Sequence, residues 1–263
     1  MGNRIPPALV AQADTFVALR RDLHRHPELG FEELRTSALV AEKLSEWGYA
    51  VTRGLGGTGV VGQLRRGTGQ RRLGLRADMD ALPIRETTGL PYASRHDGKM
   101  HACGHDGHTA TLLAAARVLA GRKDQLQGTL HLIFQPAEEG HGGAQKMVEQ
   151  GLFELFPCDA LYAFHNEPGY PAGQFGFRAG VMYSSSDTAI ITIRGKGSHD
   201  HCRAGTQIQR TQRGGIQLFH TLNNGDLAID LDVSTHTDQL VHIAEAVFPD
   251  AFRYNGSAIG QRQ

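Results

Sequence analysis

Long hydrophobic runs and an excess of charge of either sign are both missing from this sequence of 263 residues. The longest apolar runs, such as residues 112–116, fall far short of the roughly 18 residues that a membrane span requires. Basic and acidic residues number 27 each, so the formal net charge is zero. General nucleic-acid and anionic-membrane binders usually carry a basic excess. The composition therefore predicts a soluble protein that has neither nucleic acid nor membrane as a partner.

Cysteine is also scarce, because only Cys103, Cys158 and Cys202 occur. An odd number of cysteines at wide spacing suits a reducing compartment better than a disulfide framework. The first twenty residues mix polar side chains among the apolar ones and lack the unbroken apolar block of a secretory signal. We therefore expect a cytoplasmic location.

Hydrophobic periodicity predicts alternating helices and strands. Apolar residues at spacings of three and four predict helices over residues 8–26, 31–47, 109–119 and 144–150. Short apolar or alternating runs between glycine-rich turns predict strands over residues 49–52, 59–64, 73–77, 129–134 and 159–164. Residues 67–70 are typical of a hairpin turn. This alternation predicts a layered α/β domain whose functional site lies at the ends of strands.

A change in composition and hydrophobic periodicity in the C-terminal part predicts a second unit. The alternating pattern from Asp187 to Arg194 indicates a half-buried strand that opens a smaller domain. Residues 200–263 contain no lysine, seven glutamines and little periodicity. We therefore divide the chain into a larger part, residues 1–183, and residues 184–263, the start of a smaller domain followed by an atypical tail.

The densest chemical signal is the segment 101–108, which holds three of the 14 histidines together with a cysteine and an aspartate. Zinc-type ions favour thiolate, imidazole and carboxylate ligands, and a short glycine-containing loop lets neighbouring side chains converge. The segment therefore predicts a metal site. For a single histidine, a surface loop is the more common explanation, and a redox-active thiol at Cys103 is a third interpretation.

Further metal-ligating residue types follow predicted strands. Asp78 and Asp80 are two positions apart, and residues at that spacing in a strand point to the same face. Glu138 and Glu139 are adjacent and leave the backbone in different directions, so that one can bind metal while the other addresses a water. For an isolated acidic pair, a solvated loop or a helix N-terminus is the more common explanation, and His165 alone would usually be a structural histidine. The combination at several strand ends favours a site.

Five motifs occur in the order found in a known family. They are LRRDLHRHPELGFEE (Leu19–Glu33), LRADMDALPIRE (Leu75–Glu86), MHACGHDGHTA (Met100–Ala110), QPAEEG (Gln135–Gly140) and AFHNEP (Ala163–Pro168). The chain resembles the metal-dependent amidohydrolases related to hippurate hydrolase, N-acyl-amino-acid hydrolases and plant auxin-conjugate hydrolases, within the aminoacylase-like dinuclear metallopeptidases. The resemblance extends over about residues 19–199, and its last motif, GKGSH (Gly195–His199), is similar to the opening of the family's lid or dimerisation domain.

The resemblance implies a centre of two divalent metal ions. The Cys103 thiolate would bridge the ions, His105 and His165 would ligate one of them, and Glu139 would ligate the other. Cysteine, histidine and glutamate suit zinc, manganese, cobalt and nickel, so the residues leave the metal open. No final ligand is assigned among His220, His236 and His242, because none lies in a matching motif.

The resemblance also implies roles in catalysis. Glu138 would be the general base that takes a proton from a metal-activated water, and Asp80 would orient the cluster. His199 matches a lid histidine that assists the substrate or the oxyanion across a dimer interface. The implied reaction is hydrolysis of the amide bond of a small N-acyl amino acid such as a hippurate-like conjugate. Substrate-binding residues stay unassigned.

The implied fold is an α/β layered sheet with flanking helices, the aminoacylase-like metallopeptidase catalytic domain. It would be incomplete, with the remnant of a smaller α+β lid or dimerisation domain, and the chain would form a homodimer if that lid is formed. The unmatched tail is either an altered ending or a divergent short lid. The rival to an active hydrolase is therefore an inactive metal-binding remnant that lacks the last ligand segment, and a redox-sensing thiol protein is a third alternative.

Overall fold

The computed structural model describes residues 7–122, 125–171 and 173–180, and four strands of the C-terminal part. The chain divides into two units, Met1–Ala172 and Gly173–Gln263. The assignment of a catalytic part and a lid, divided after residue 183, stays a prediction. Within the described ranges, no helix combines the length and the hydrophobicity that crossing a membrane would require.

The helices of the first unit lie close to the predicted segments. They are α1 (Pro7–Val10), α2 (Ala13–Arg25), α3 (Leu34–Glu46), α4 (His105–Gly121), α5 (Gly143–Glu149) and α6 (Leu152–Leu155). The first predicted helix is interrupted at residues 11–12, and the short α6 was not predicted. Helix α4 begins four residues before the predicted start at Thr109. Its first turn therefore includes His105 and His108, which the periodicity had left in a loop.

Five strands form one mixed sheet. They are β1 (Ala50–Leu55), β2 (Gly59–Arg66), β3 (Arg72–Asp78), β4 (Gly128–Gln135) and β5 (Ala160–Ala163), in the order β1-β2-β4-β3-β5. Strand β3 is parallel to both β4 and β5, whereas β2 is antiparallel to β4. The prediction of a hairpin turn at residues 67–70 is wrong, because β4 lies between β2 and β3 and these two strands therefore do not pair with each other. A glycine-rich turn fits this wider connection as well as it fits a hairpin.

Hydrophobic side chains cover both faces of the sheet. All eight residues of β4 are buried. Alternate residues of β4 point to opposite faces, so Leu132 packs with side chains from α3 and α4 while Ile133 packs with Met147 of α5. A helix–sheet–helix arrangement of this kind is the predicted layered α/β fold. The covered sheet provides a rigid base for the residues that follow its strands.

The second unit contains two described strand pairs. Strand β6 (Ala189–Gly195) is antiparallel to β9 (Leu227–Val233), and β7 (Gln207–Arg210) is antiparallel to β8 (Ile216–Phe219). Strand β6 confirms the strand predicted at this position, whereas β7, β8 and β9 were not predicted from the weakly periodic tail. His199 lies outside the described residues, as do His220, His236 and His242.

Candidate metal centre

The carboxyl ends of three parallel strands meet at one edge of the sheet. Asp78 of β3 is in register with Gln135 of β4, and Arg76 of β3 is in register with Ala163 of β5. The residues that follow these strands are therefore neighbours in space: Asp80, the pair Glu138 and Glu139, and His165. In open α/β sheets, this edge is where ligands bind.

The loop that enters α4 brings the histidine-rich segment to the same edge. Gly104 precedes the helix with a φ of 93°, a conformation that glycine adopts without strain. A Cβ atom at this position would lie 2.6 Å from Asn166 Oδ1, and any other residue would be strained by the positive φ, so glycine favours the close approach to the segment that follows β5. Cys103 consequently lies beside His165, and their Sγ and Nε2 atoms are 3.3 Å apart.

The His105 imidazole lies at the centre of the cluster and is fully buried. Its Nδ1 is 3.4 Å from Asp80 Oδ1. Its Nε2 is 3.7 Å from an oxygen of Asp78, 3.7 Å from one of Glu139 and 3.9 Å from one of Glu138. Neither ring nitrogen forms a hydrogen bond with any part of the chain that the structure describes. A buried imidazole surrounded by carboxylates and without a hydrogen bond is a strong candidate for a metal ligand.

Among the residues that the structure describes, three groups have donor atoms close enough to hold one ion, and all three include His105. They are Cys103 with His105 and His165, His105 with Glu138 and Glu139, and Asp78 with His105 and His108. In the first group, His165 Nδ1 donates to its neighbour's carbonyl at 2.7 Å, which leaves the lone pair of a neutral ring on Nε2, facing Cys103. The first two groups contain all four predicted metal ligands and the predicted base.

The third group is better explained by hydrogen bonds. His108 Nε2 accepts the backbone N–H of Asn166 at 3.0 Å, so its Nδ1 carries a proton and donates to Asp78 Oδ1 at 2.6 Å. The other oxygen of Asp78 accepts a hydrogen bond from Arg76 at 2.7 Å, and Arg76 also donates to Gln135. These bonds use the donor atoms of Asp78 and His108, and they fix the chain next to His165.

Asp80 organises the turn that carries the two glutamates. Its carboxylate accepts the backbone N–H of Glu138 at 2.9 Å and that of Glu139 at 3.0 Å. The two side chains were predicted to diverge, but both carboxylates approach His105 Nε2 because they lie in a turn and not in an extended strand. They differ in exposure, since the Glu138 side chain is 42% exposed and that of Glu139 is 25% exposed.

The electrostatics of the cluster favour a cation. Burial lowers the pKa of His105, but Asp80, Cys103 and Asp78 outweigh this effect and raise the pKa to about 11. Burial and the neighbouring negative charge of Glu139 raise the pKa of Glu138. Several acidic groups thus share one buried imidazole, and their mutual repulsion would be relieved by a positive ion.

The residues present fit a divalent metal. The buried atoms without a hydrogen bond include both His105 ring nitrogens and Glu139 Oε1, and they lie beside a thiol and a second imidazole. Thiolate, imidazole and carboxylate are the donors that zinc and related ions prefer. The structure thus brings Cys103, His105, Glu139 and His165 together.

Sequence reasoning missed several buried groups behind the cluster. It counted Asp78 and His108 among the residue types that could ligate a metal, but it did not predict that they bond to each other and support the site. Asp106 forms an ion pair with Arg20 of α2 at 2.7 Å and a hydrogen bond with His24 Nδ1 at 2.8 Å. The other ring nitrogen of His24, Nε2, lies 3.3 Å from Glu86. The spacing of His24 on its helix gives no sign of these partners, because they are distant in sequence.

Comparisons with known proteins identify the family to which the chain is similar. The pattern of peptidase family M20/M25/M40 matches residues 74–257, which includes residues 200–257 that the motifs had left outside the resemblance. Hippurate hydrolase from Campylobacter jejuni is 50% identical over 197 residues, covering 75% of this chain and 51% of the relative. N-Acetyl-L-cysteine deacetylase from Bacillus subtilis is 44% identical, covering 70% of this chain and 44% of the relative.

A solved structure shows the same similarity. The Bacillus subtilis YXEP protein, described as a dinuclear metal binding peptidase from the M20 family, superimposes with a TM-score of 0.67 at 29% identity. The alignment covers 90% of this chain and 68% of that protein. The chain spans about half the length of the curated relatives it matches. Because the family pattern matches more than half of its residues, this chain belongs to peptidase family M20/M25/M40.

Proposed function

We propose that this chain carries the metal-binding centre of an amidohydrolase that cleaves the amide bond of N-acyl amino acids. The observation that carries the proposal is the buried His105 imidazole, which has no hydrogen bond within the described part of the chain and lies among carboxylates, a thiol and a second imidazole. The names of the hippurate hydrolase and deacetylase relatives supply the substrate class. The ligand geometry and the relatives together favour hydrolysis over a redox function for Cys103.

Four side chains would hold two divalent ions. Cys103, His105, Glu139 and His165 would be their ligands. When bound, the ions supply a water of lowered pKa and polarise the amide carbonyl. Support comes from the 3.3 Å separation of Cys103 Sγ and His165 Nε2 and from the approach of Glu139 to His105. The identity of the metal, among zinc, manganese, cobalt and nickel, is left to measurement.

Glu138 would move the proton. A general base is most effective when its pKa approaches the working pH, and burial together with the charge of Glu139 raises the pKa of Glu138 in that direction. The carboxylate would take a proton from the attacking water and return it to the leaving amine. Asp80 would keep the base in place through its bonds to the two backbone N–H groups.

The remaining parts of the proposal concern the whole protein. The substrate would be a small N-acyl amino acid, with neither nucleic acid nor membrane as a partner, and the location would be cytoplasmic, as the cysteine usage suggests. His199 would assist the substrate or the oxyanion, and a homodimer would form through the second unit.

Metal content and turnover test the proposal together. The purified chain would be analysed for bound metal and assayed on N-benzoylglycine and a panel of N-acetyl amino acids, with Cys103→Ala alongside. We expect about two ions per chain, hydrolysis of at least one substrate, and loss of both in Cys103→Ala. Replacing Cys158 by Ala is the matched control, because this cysteine lies outside all three donor groups. One ion or none, with no hydrolysis, would support the inactive remnant instead.

A further inference from the structure

Glu33 is a completely buried glutamate whose side chain faces the turn that carries Glu138 and Glu139. One carboxylate oxygen accepts the backbone N–H of Ala137 at 2.8 Å, and the other accepts the hydroxyl of Thr58 at 2.5 Å. A buried carboxylate is costly unless its oxygens are hydrogen-bonded, and here both are. The bond to Ala137 joins residues that are 104 positions apart in the sequence.

Helix capping does not explain this orientation. Glu33 is the residue before α3, but its side chain makes no capping hydrogen bond. The N–H groups of Arg35 and Thr36 are instead accepted by the carboxylate of Glu28, at 2.8 Å each. The beginning of α3 therefore has its acceptor already, and the Glu33 side chain is available to the turn.

Ala137 has an unfavourable backbone conformation. Its φ is +51°, in the left-handed region that residues other than glycine rarely adopt. Such a conformation persists where surrounding contacts determine it, and it is common at functional sites. Two contacts are visible here: the bond to Glu33, and the bond from the N–H of Gly143 to the carbonyl of Ala137 at 3.0 Å.

We propose that Glu33 is a positioning residue that holds the Ala137–Glu139 turn, and with it the carboxylates of Glu138 and Glu139, in their working geometry. Three consecutive backbone N–H groups are then fixed by two buried carboxylates, Glu33 for the first and Asp80 for the other two. The effect on catalysis rests on the proposed function, whereas the effect on the turn does not.

Substitutions at Glu33 separate this role from simple stability. Glu33→Ala removes the acceptor of the Ala137 N–H. Glu33→Asp keeps the carboxyl group but withdraws it from this N–H by the length of one methylene. Glu33→Gln preserves both bonds, because its amide oxygen can accept the Ala137 N–H and its amino group can donate to the Thr58 hydroxyl. Glu28→Ala is the matched control, since it removes a carboxylate that binds backbone N–H groups of the same helix without contacting the turn.

Two measurements are made on the metal-loaded chain. In Glu33→Ala and Glu33→Asp, we expect kcat to fall about 10- to 100-fold with little change in KM or metal content, because a small displacement of a catalytic group costs that much. Amide hydrogen exchange should accelerate at residues 137–139 and stay unchanged in β4. Glu33→Gln should restore kcat and protection of the turn, and Glu28→Ala should leave both as in the wild type.

The outcomes are distinguishable. Acceleration of exchange throughout β4, or equal losses of kcat in Glu33→Gln and Glu33→Ala, would overturn the positioning role. If Glu33→Ala does not fold, the comparison of Glu33→Asp with Glu33→Gln decides. If the wild type hydrolyses none of the N-acyl amino acids, the proposed function fails, and the exchange of the 137–139 amides alone decides the role of Glu33.

Discussion

The residues around the His105 imidazole form an inner side and an outer side that are built differently. The inner side consists of buried groups whose donor and acceptor atoms bond to other parts of the chain, namely Asp78, Asp80 and His108. The outer side consists of more accessible groups, namely Cys103, Glu138, Glu139 and His165. Only one inter-residue side-chain hydrogen bond, between Cys103 and His165, joins members of the outer side within the described residues.

This difference separates the residues that position the site from those that we propose to bind metal or transfer a proton. The inner groups are fixed in the folded chain without a metal, because their hydrogen bonds go to backbone N–H groups and to side chains of neighbouring elements. The outer groups have donor atoms within 4.8 Å of His105 and of one another in two groups that share His105, where ions can use them. Substitutions on the outer side should therefore lower activity, and metal binding where a ligand is removed, without destabilising the metal-free chain. Substitutions on the inner side should lower stability or weaken metal binding indirectly.

The largest effect is expected on the outer side, from Glu138→Gln. Removal of the proposed base should lower kcat about 10²- to 10⁴-fold, since general acid–base catalysis is worth that much. Metal content and thermal unfolding should stay as in the wild type, because Glu138 uses its backbone, and not its side chain, to bond to Asp80. Steady-state kinetics, metal analysis and calorimetry check this, with the exposed Glu154→Gln as control. A large fall in the stability of Glu138→Gln would contradict the assignment of Glu138 to the outer side.

Changing His108 to Phe should weaken metal binding about 10- to 100-fold, the usual consequence of removing a group that orients a ligand. The substitution removes the acceptor for the Asn166 N–H, and the chain beside His165 loses its anchor. Competition with a coloured chelator measures the affinity. The exposed His96 provides the control substitution, His96→Phe, which should leave the affinity unchanged. An unchanged affinity in His108→Phe would mean that His165 is positioned by β5 alone.

Asp80→Asn should lower the free energy of unfolding by about 1–3 kcal/mol. The new amide can accept only with its oxygen, so its amino group would face one of the two N–H groups that the carboxylate now accepts. Denaturant unfolding of the metal-free chain gives the value, which makes the result independent of catalysis. Asp97→Asn, which changes an exposed partner of Arg85, should have a negligible effect. A similar loss in both variants would contradict the support role of Asp80.

The smallest effect is expected from the pH dependence of the His24 pair behind α4. The hydrogen bond to Asp106 raises the pKa of His24 above its usual 6.5, against the opposing effect of burial. The charged form is therefore favoured by folding, and its contribution to stability is fully present below pH 6.5 and is lost as the pH rises through the folded pKa. The stability difference between the wild type and His24→Gln should shrink from pH 6 to pH 9. A constant difference would show that proton uptake is not involved.

Local sequence patterns predicted the sheet and the edge at which the site lies. The alternation of short apolar runs with helical periodicity placed β3, β4 and β5 within a few residues of their observed bounds. Parallel strands end at a common edge, so the acidic residues after β3 and β4 and the histidine after β5 were expected together. The start of α4 was predicted too late, because the polar residues His105 to His108 hide a buried helical turn from any pattern based on hydrophobicity.

Contacts between distant segments could not be predicted in this way. Glu33 is an ordinary acidic residue before a helix until the fold places the Ala137 N–H against it. The neighbours of β4 are a similar case, because nothing in the turn at residues 67–70 shows that a strand from 60 positions later will separate β2 from β3. Such contacts depend on tertiary packing, which cannot be read from secondary-structure propensity or hydrophobic periodicity, because both describe local sequence only.

The strand order also determines when the site can exist during synthesis. Strands β2 and β3 emerge before β4, their common neighbour, so Asp80 is made long before the N–H groups that it binds. Strand β5 comes last and pairs with β3 across 87 positions, from Leu73 to Ala160. A nascent chain that does not yet include His165 therefore has an acidic, incomplete site at this edge of the sheet. We expect metal binding to occur late in the assembly of the unit, after the sheet has formed.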